Sequence, residues 1–170
     1  MSGMGWVRIL IGAVWLNGAM EKLLSPSFPR QLATSLDAGG YVQQAPPWFQ
    51  DFMRGTVVPN AEFVAQLVRF GELVLGLALV LGLLTNPAAV GSILFSLMIL
   101  VSEGGPRLGT GLGPPEFLDI NLLVASISLV ILLSPAAKAL SLDTALVHRS
   151  PRLAPFLTNR RTRGGRRTRA

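Results

Sequence analysis

Five residues between Glu62 and Gly76 recur at the period of an α-helix and carry the most unusual polar chemistry of the chain. Glu62, Gln66, Arg69, Glu72 and Gly76 follow one another at spacings of four, three, three and four, which places them on one helical face. A charge facing lipid is costly, so this stripe is expected to face protein or water. Glu72 is the best candidate for proton transfer. Arg69 and Glu72 could equally neutralise each other, or pair with Lys22 and Arg8, and so only fix helix packing.

A second stripe lies on the first apolar segment. Arg8, Gly12, Trp15 and Lys22 share one face of a helix there, and the glycine would allow a neighbouring helix to approach closely. In an antiparallel pair of helices, Lys22 is expected near the level of Glu62, and Arg8 about a turn beyond Glu72 and within its reach.

Composition indicates which elements position these residues. Half of the 170 residues are hydrophobic and 14% are charged, against about 25% charged in an average soluble domain. The mean hydropathy is +0.50. We therefore predict an all-α, polytopic membrane protein whose residues 1–148 form a bundle of four transmembrane helices. The predicted spans are about 6–24, 60–84, 87–102 and 117–134.

The connections between the predicted spans have their own signals. Two short interfacial helices are expected in the first outer loop, one beginning near Pro29 and one running from Pro47 to Arg54 and ending at Gly55. Thr85-Asn86-Pro87 is expected to form the tight turn between the second and third spans.

Charge is distributed unevenly along the chain. Residues 1–148 hold seven Lys or Arg and nine Asp or Glu, whereas residues 149–170 hold eight Arg and no acidic residue. We predict that residues 149–170 form a disordered cytoplasmic tail that contacts anionic lipid rather than a specific nucleic acid. The Lys/Arg bias then places both termini in the cytoplasm, with the protein in the plasma membrane.

Residue types limit the possible cofactors. The chain has no Cys and a single His, which excludes iron–sulfur clusters, Cys-ligated zinc and a haem held by two His within one copy, and no metal site is predicted. Polar residues at the outer ends of the helices are expected to form a funnel that leads toward Glu72. This outer polar cluster consists of Glu21, Lys22, Glu62, Asp119 and Asn121.

Several short motifs together resemble the DoxX/DoxD-like family of membrane proteins. Val7-Arg8-Ile9 with Gly12, followed by Gly18 to Leu23, is similar to the first helix of the family. Phe70-Gly71-Glu72-Leu73 is similar to the second helix, and Asp119-Ile120-Asn121-Leu122 to the last. The resemblance covers about residues 7–146 and implies a four-helix membrane protein. The best-described members are membrane subunits of thiosulfate:quinone oxidoreductase.

The resemblance therefore implies a quinone-linked redox subunit, in which Lys22 and Arg30 are candidate groups for attracting thiosulfate. The alternatives are a non-catalytic membrane anchor for a soluble redox partner in oxidative-stress or sulfur metabolism, or a small proton-coupled transporter. The absence of a clear internal repeat disfavours the transporter. The candidate quinone pocket comprises Arg8, Gly12, Trp15, Arg69, Glu72 and Gly76.

Overall fold

All regular elements in the described part of the chain are helical. The computed structural model describes residues 3–37, 41–105, 119–138 and 141–149. Most of the Arg-rich tail and most of the Gly/Pro stretch after Glu103 lie outside the described residues. The helices are α1 (Gly3–Leu24), α2 (Phe28–Leu36), α3 (Pro47–Phe52), α4 (Ala61–Leu81), α5 (Thr85–Ser102), α6 (Ile120–Leu133) and α7 (Leu142–Arg149).

The four longest helices pack around a common centre. α1 contacts α4 and α6, and α5 contacts the same two helices. The centre combines large side chains such as Trp15, Leu79 and Ile131 with small ones such as Ala88 and Ala89. The prediction of an all-α fold is therefore confirmed.

Large apolar side chains cover the outside of this arrangement. Leu10, Phe63 and Leu94 are each more than 60% exposed. An apolar exterior of this extent is typical of a surface that contacts lipid. Among the described residues, two helical segments, Pro47–Leu81 and Thr85–Ser102, are long and apolar enough to cross a membrane, and Ile120–Leu133 is apolar but shorter.

The expected break at Gly55 is wrong, because helical structure continues through this glycine. After α3 the chain forms a π turn at Met53–Val57 and a 3₁₀ turn at Val58–Asn60, and then enters α4. The N–H of Val58 donates to the carbonyl of Met53, five residues back, so hydrogen bonding runs on with one extra residue per turn. A π turn has no simple sequence signal, and the glycine alone therefore suggested an end.

The turn between α4 and α5 also differs from the expectation. Thr85 already belongs to α5, and the reversal occurs at Gly82–Leu84, where Gly82 has a φ of 66° and Leu84 a φ of 52°. Pro87 fits in the first turn of α5, because an N–H there needs no helical partner. The Asn86-Pro87 pair therefore begins a helix rather than forming the turn.

Candidate functional site

A buried ion pair joins α1 to α4. Lys22, in the last turn of α1, places its Nζ 2.9 Å from Oε2 of Glu72, near the middle of α4. The Glu72 side chain is 3% exposed and that of Lys22 is 27% exposed. Gly18 makes room for the carboxylate, since a Cβ at this position would lie 3.1 Å from Oε2. We call these two residues the Lys22–Glu72 pair.

Arg69 lies beside this pair but bonds to backbone oxygens. Its Nε donates to the carbonyl of Lys22 at 2.9 Å, and its Nη2 donates to the carbonyl of Ser25. The Lys22 carbonyl lies in the last turn of α1 and the Ser25 carbonyl just after the helix, where a positive charge is favourable. The ring centroid of Phe28 lies 5.4 Å from Cζ of Arg69 and 5.9 Å from Nζ of Lys22, within the range of cation–π contacts. Lys22, rather than Arg69, is thus the partner of Glu72.

The expected alignment of α1 with α4 along the bundle is wrong. Lys22 lies level with Glu72, whereas Glu62 is ten residues, or about 15 Å, nearer the start of α4. Arg8 packs against Gly82 at the other end of α4, also about 15 Å from Glu72, and cannot reach its carboxylate. After α1 the chain turns into α2, which packs against α4 near its N-terminal end.

The middle of the α1–α4 contact is tightly packed. A Cβ at Gly12 would lie 2.7 Å from the backbone nitrogen of Val80, and one at Gly76 would lie 2.7 Å from Cγ of Leu16. The glycines therefore serve close helix contact rather than lining an opening. Trp15 is 6% exposed and donates from Nε1 to Oγ of Ser92 at 2.7 Å. Of the six candidate pocket residues, the structure places Arg69 and Glu72 together and Arg8 apart from them.

Residues of the outer polar cluster make their contacts in different parts of the molecule. Asp119 caps α6, with Oδ1 accepting from the N–H groups of Asn121 at 2.6 Å and of Leu122 at 3.3 Å. The side chain of Asn121 donates to Glu103 at 3.4 Å. Glu62 accepts from Gln66 at 3.2 Å on an exposed surface. Of these polar residues, Lys22 contacts Glu72.

A shallow groove lies between α2 and the N-terminal end of α4. Its volume is about 550 Å³, and it brings Arg30 and Glu62 to one surface. Proline and alanine side chains supply its apolar wall. The residues lining this α2–α4 groove are Pro26, Ser27, Pro29, Arg30, Ala33, Ala61 and Glu62.

Comparison with known families identifies the type of protein. Residues 4–155 match the family model described as the TQO small subunit DoxD. The chain belongs to the DoxD family. No curated protein and no solved structure matches it. The match confirms the resemblance seen in the motifs, and with the apolar helices it identifies a membrane protein.

A second buried polar group in this DoxD protein was not anticipated as a site. Asp143, which is fully buried, accepts from the N–H of Leu84 through Oδ1 at 2.7 Å and from the N–H of Thr85 through Oδ2 at 2.8 Å. Its own N–H donates to the carbonyl of Gly82 at 3.0 Å. We call this arrangement the Asp143 clamp. It fastens the C-terminal segment to the start of α5.

Two buried cations accompany the Asp143 clamp. Arg8 is fully buried against Gly82 and Ser141, and Lys138 is 6% exposed. Burial lowers the pKa of Lys138, and the negative charge of Asp143 opposes part of this shift. The clamp joins residues 58 or 59 positions apart, so sequence spacing carries no signal for it.

Proposed function

We propose that the chain is the membrane subunit of a thiosulfate:quinone oxidoreductase, and that the Lys22–Glu72 pair with Arg69 is the polar site at which the quinone is reduced. Membership of the DoxD family supports this type of reaction. The observation that carries the residue assignment is the carboxylate of Glu72, which is 3% exposed and held by a single lysine. A carboxylate in such surroundings is suited to proton transfer.

The chemistry requires both protons and positive charge. Two thiosulfate ions join through a new S–S bond to form tetrathionate and release two electrons, and a quinone takes up these electrons and two protons to become a quinol. A proton that enters beside the partly exposed Lys22 protonates the Glu72 carboxylate, which passes it to the ring oxygen and returns to the ionised form that Lys22 holds. Lys22 and Arg69 stabilise the negative charge that develops on that oxygen.

The packing favours one approach to this site. The contacts of Gly12 and Gly76 leave no space for a ring in the middle of the α1–α4 interface. The α2–α4 groove lies beyond the end of α1, close to the turn that Arg69 holds. Its proline and alanine wall suits an apolar ring, and Arg30 adds a positive group for an anion.

The proposed topology has four spans. α1, α4, α5 and α6 cross the plasma membrane, and both termini lie in the cytoplasm. The Lys22–Glu72 pair then lies within the bilayer, with the groove toward the outer surface. The polar groups face protein, as the cost of a charge in lipid requires.

The direct test is thiosulfate-dependent reduction of a short-chain quinone by the full chain in membranes. Glu72→Gln should lower kcat by about a hundredfold, the usual contribution of a general acid. Asp51→Asn, which changes an exposed carboxylate on α3 outside the groove lining, should leave kcat unchanged. Full activity of the Glu72→Gln variant would exclude the proton role of Glu72.

A second candidate function is a membrane anchor for a separate redox subunit. The family description names a small subunit, which supports assembly with another chain. In this alternative the Arg-rich tail docks the partner, and deletion of residues 160–170 releases it from membranes. Unchanged co-purification of the partner after this deletion would count against the tail as its docking site.

A further inference from the structure

Three serine hydroxyls lie in the centre of the four-helix arrangement. Ser92 and Ser96 project from α5 four residues apart, and Ser128 projects from α6; each is fully buried. Oγ of Ser92 lies 2.8 Å from Oγ of Ser128 and also accepts from Nε1 of Trp15 at 2.7 Å. The hydroxyl of Ser96 has no hydrogen-bond partner in the described part of the chain.

The three hydroxyls cannot supply an acceptor for every one of their own O–H donors. A serine hydroxyl offers one hydrogen and two acceptor positions. In the Ser92–Ser128 pair one hydroxyl donates to the other. Whichever of the two is the donor, the O–H of the other has no acceptor among the described residues. The Ser96 hydroxyl adds a second such O–H. A buried polar group without a partner is costly, and most are bonded to protein or to ordered water.

The contacts between helices define what surrounds Ser96. The bond from Trp15 reaches across the centre from α1 to Ser92 on α5, and Ala19, one turn farther along α1, therefore lies level with Ser96. The Ser92–Ser128 contact sets α6 antiparallel to α5 and brings Ala125 to the same level. Ala19 is fully buried and Ala125 is 5% exposed. The buried residues of α1 and α6 at the level of Ser96 are therefore both alanines, which are small side chains.

We infer that an ordered water molecule is bound in the centre of the bundle, between Ser96 and the Ser92–Ser128 pair. Residues four apart on a helix have Cβ atoms about 5–6 Å from each other, a span that one water bridges with two hydrogen bonds. The water accepts from Ser96 and from the remaining O–H of the pair. Buried waters of this kind typically make about three hydrogen bonds to polar groups that otherwise lack partners.

The position of this water relates it to the ion pair. The Glu72 carboxylate lies beside Gly18, which directly precedes Ala19 in α1. Because Ala19 is level with Ser96, Glu72 lies at about the same level. The bound water thus adds a polar molecule to the layer that contains Glu72. This inference rests on the serine contacts alone and stands whether or not the chain reduces a quinone.

Radiolytic hydroxyl labelling with mass spectrometry tests the proposal on the full chain in detergent, because a bound water generates radicals next to buried side chains. Trp15 and Phe49 are both aromatic and both 6% exposed, but Phe49 lies in a separate apolar cluster. After each rate is divided by the intrinsic reactivity of its side chain toward hydroxyl radical, Trp15 should be labelled faster than Phe49. Equal normalised labelling of the two rings in the wild-type protein would overturn the proposal.

Variants locate the water. Ser96→Ala should reduce the labelling of Trp15 toward that of Phe49, whereas Ser96→Thr, which keeps the hydroxyl, should retain it. Ser126→Ala is the matched control, because Ser126 lies on an exposed face of α6 and bonds its own helix at 2.8 Å. Unchanged labelling of Trp15 in Ser96→Ala would overturn the proposal. So would a higher melting midpoint of that variant, which would indicate an unsatisfied hydroxyl in a dry core.

Discussion

At the scale of single residues, the two members of the Lys22–Glu72 pair differ in how deeply they are buried. The carboxylate is almost fully buried, while more than a quarter of the lysine side chain is exposed at 27%. The lysine can reach solvent when the pair opens, but the carboxylate has no such escape. Glu72 therefore depends on Lys22 more than Lys22 depends on Glu72.

This inequality predicts the stability of variants. Lys22→Met should destabilise the folded protein by about 3 kcal/mol, because it leaves a buried carboxylate without its partner. The double variant Lys22→Met/Glu72→Met should be more stable than Lys22→Met alone. Thermal melting in detergent measures both, and equal stability of the single and double variants would contradict the dependence of Glu72 on Lys22.

Gly82 gives a second prediction at this scale. It has a φ of 66°, and a Cβ here would collide with the guanidinium of Arg8. Gly82→Ala should lower the melting midpoint strongly, through backbone strain and displacement of Arg8. Gly71→Ala is the control, since a Cβ at Gly71 meets nothing within 4 Å. The control should be neutral or slightly stabilising, because alanine favours helix.

At the scale of elements, the α1–α4 interface depends on close backbone approach. Gly12→Leu should force the helices apart and cost at least about 1–3 kcal/mol, because the nearest atom is the backbone nitrogen of Val80, which cannot rotate away. Gly71→Leu adds the same side chain to an unobstructed position on α4. Size-exclusion chromatography and melting should separate the two variants, and similar behaviour would contradict the packing role of Gly12.

The Asp143 clamp gives a prediction about the start of α5. Asp143→Asn keeps the shape but turns an amide NH₂ toward backbone N–H donors, and should cost about 1–2 kcal/mol. Asp51→Asn changes an exposed aspartate and should have no effect. Proteolysis between α6 and α7 should become faster in Asp143→Asn, and an unchanged rate would contradict the clamp.

Periodicity predicted the buried face of α1 and that of α4 from Arg69 onward, but not how far one helix is shifted along the other. The polar face of α4 was found because Arg69, Glu72 and Gly76 repeat at helical spacing, and all three are buried. Lys22 was among the possible partners of Glu72, together with Arg69 and Arg8, but spacing could not choose between them, because the choice depends on how α1 and α4 align. The Asp143 clamp and the π turn were missed for a related reason: both depend on contacts or backbone geometry that no local spacing encodes.

At the scale of the whole molecule, the apolar exterior and the small-residue centre reverse the usual arrangement of a water-soluble protein. Alanine and serine occupy many central positions, while leucine and phenylalanine cover the outside. Lipid supplies little driving force between helices, so close contact of small residues has to hold them together. Hydropathy alone therefore revealed the class of protein, whereas its packing required the structure.

The absence of Cys from the sequence allows a clean test of the proposed topology. Single cysteines at Ser27 and at Leu142, both exposed, should differ in their reaction with a membrane-impermeant maleimide added to intact cells. Ser27→Cys should react directly, and Leu142→Cys should react after permeabilisation. The reverse pattern would contradict cytoplasmic termini.

The continuous helical segment from Pro47 to Leu81 has a structural consequence. Its 35 residues correspond to about 50 Å of helix if it is straight, against about 30 Å for the hydrocarbon core of a bilayer. The end that carries the exposed Trp48 also buries Phe49 and Met53 in a separate apolar cluster. One continuous helical segment therefore belongs to both apolar clusters of the molecule, with Phe49 near its start and Leu79 near its end.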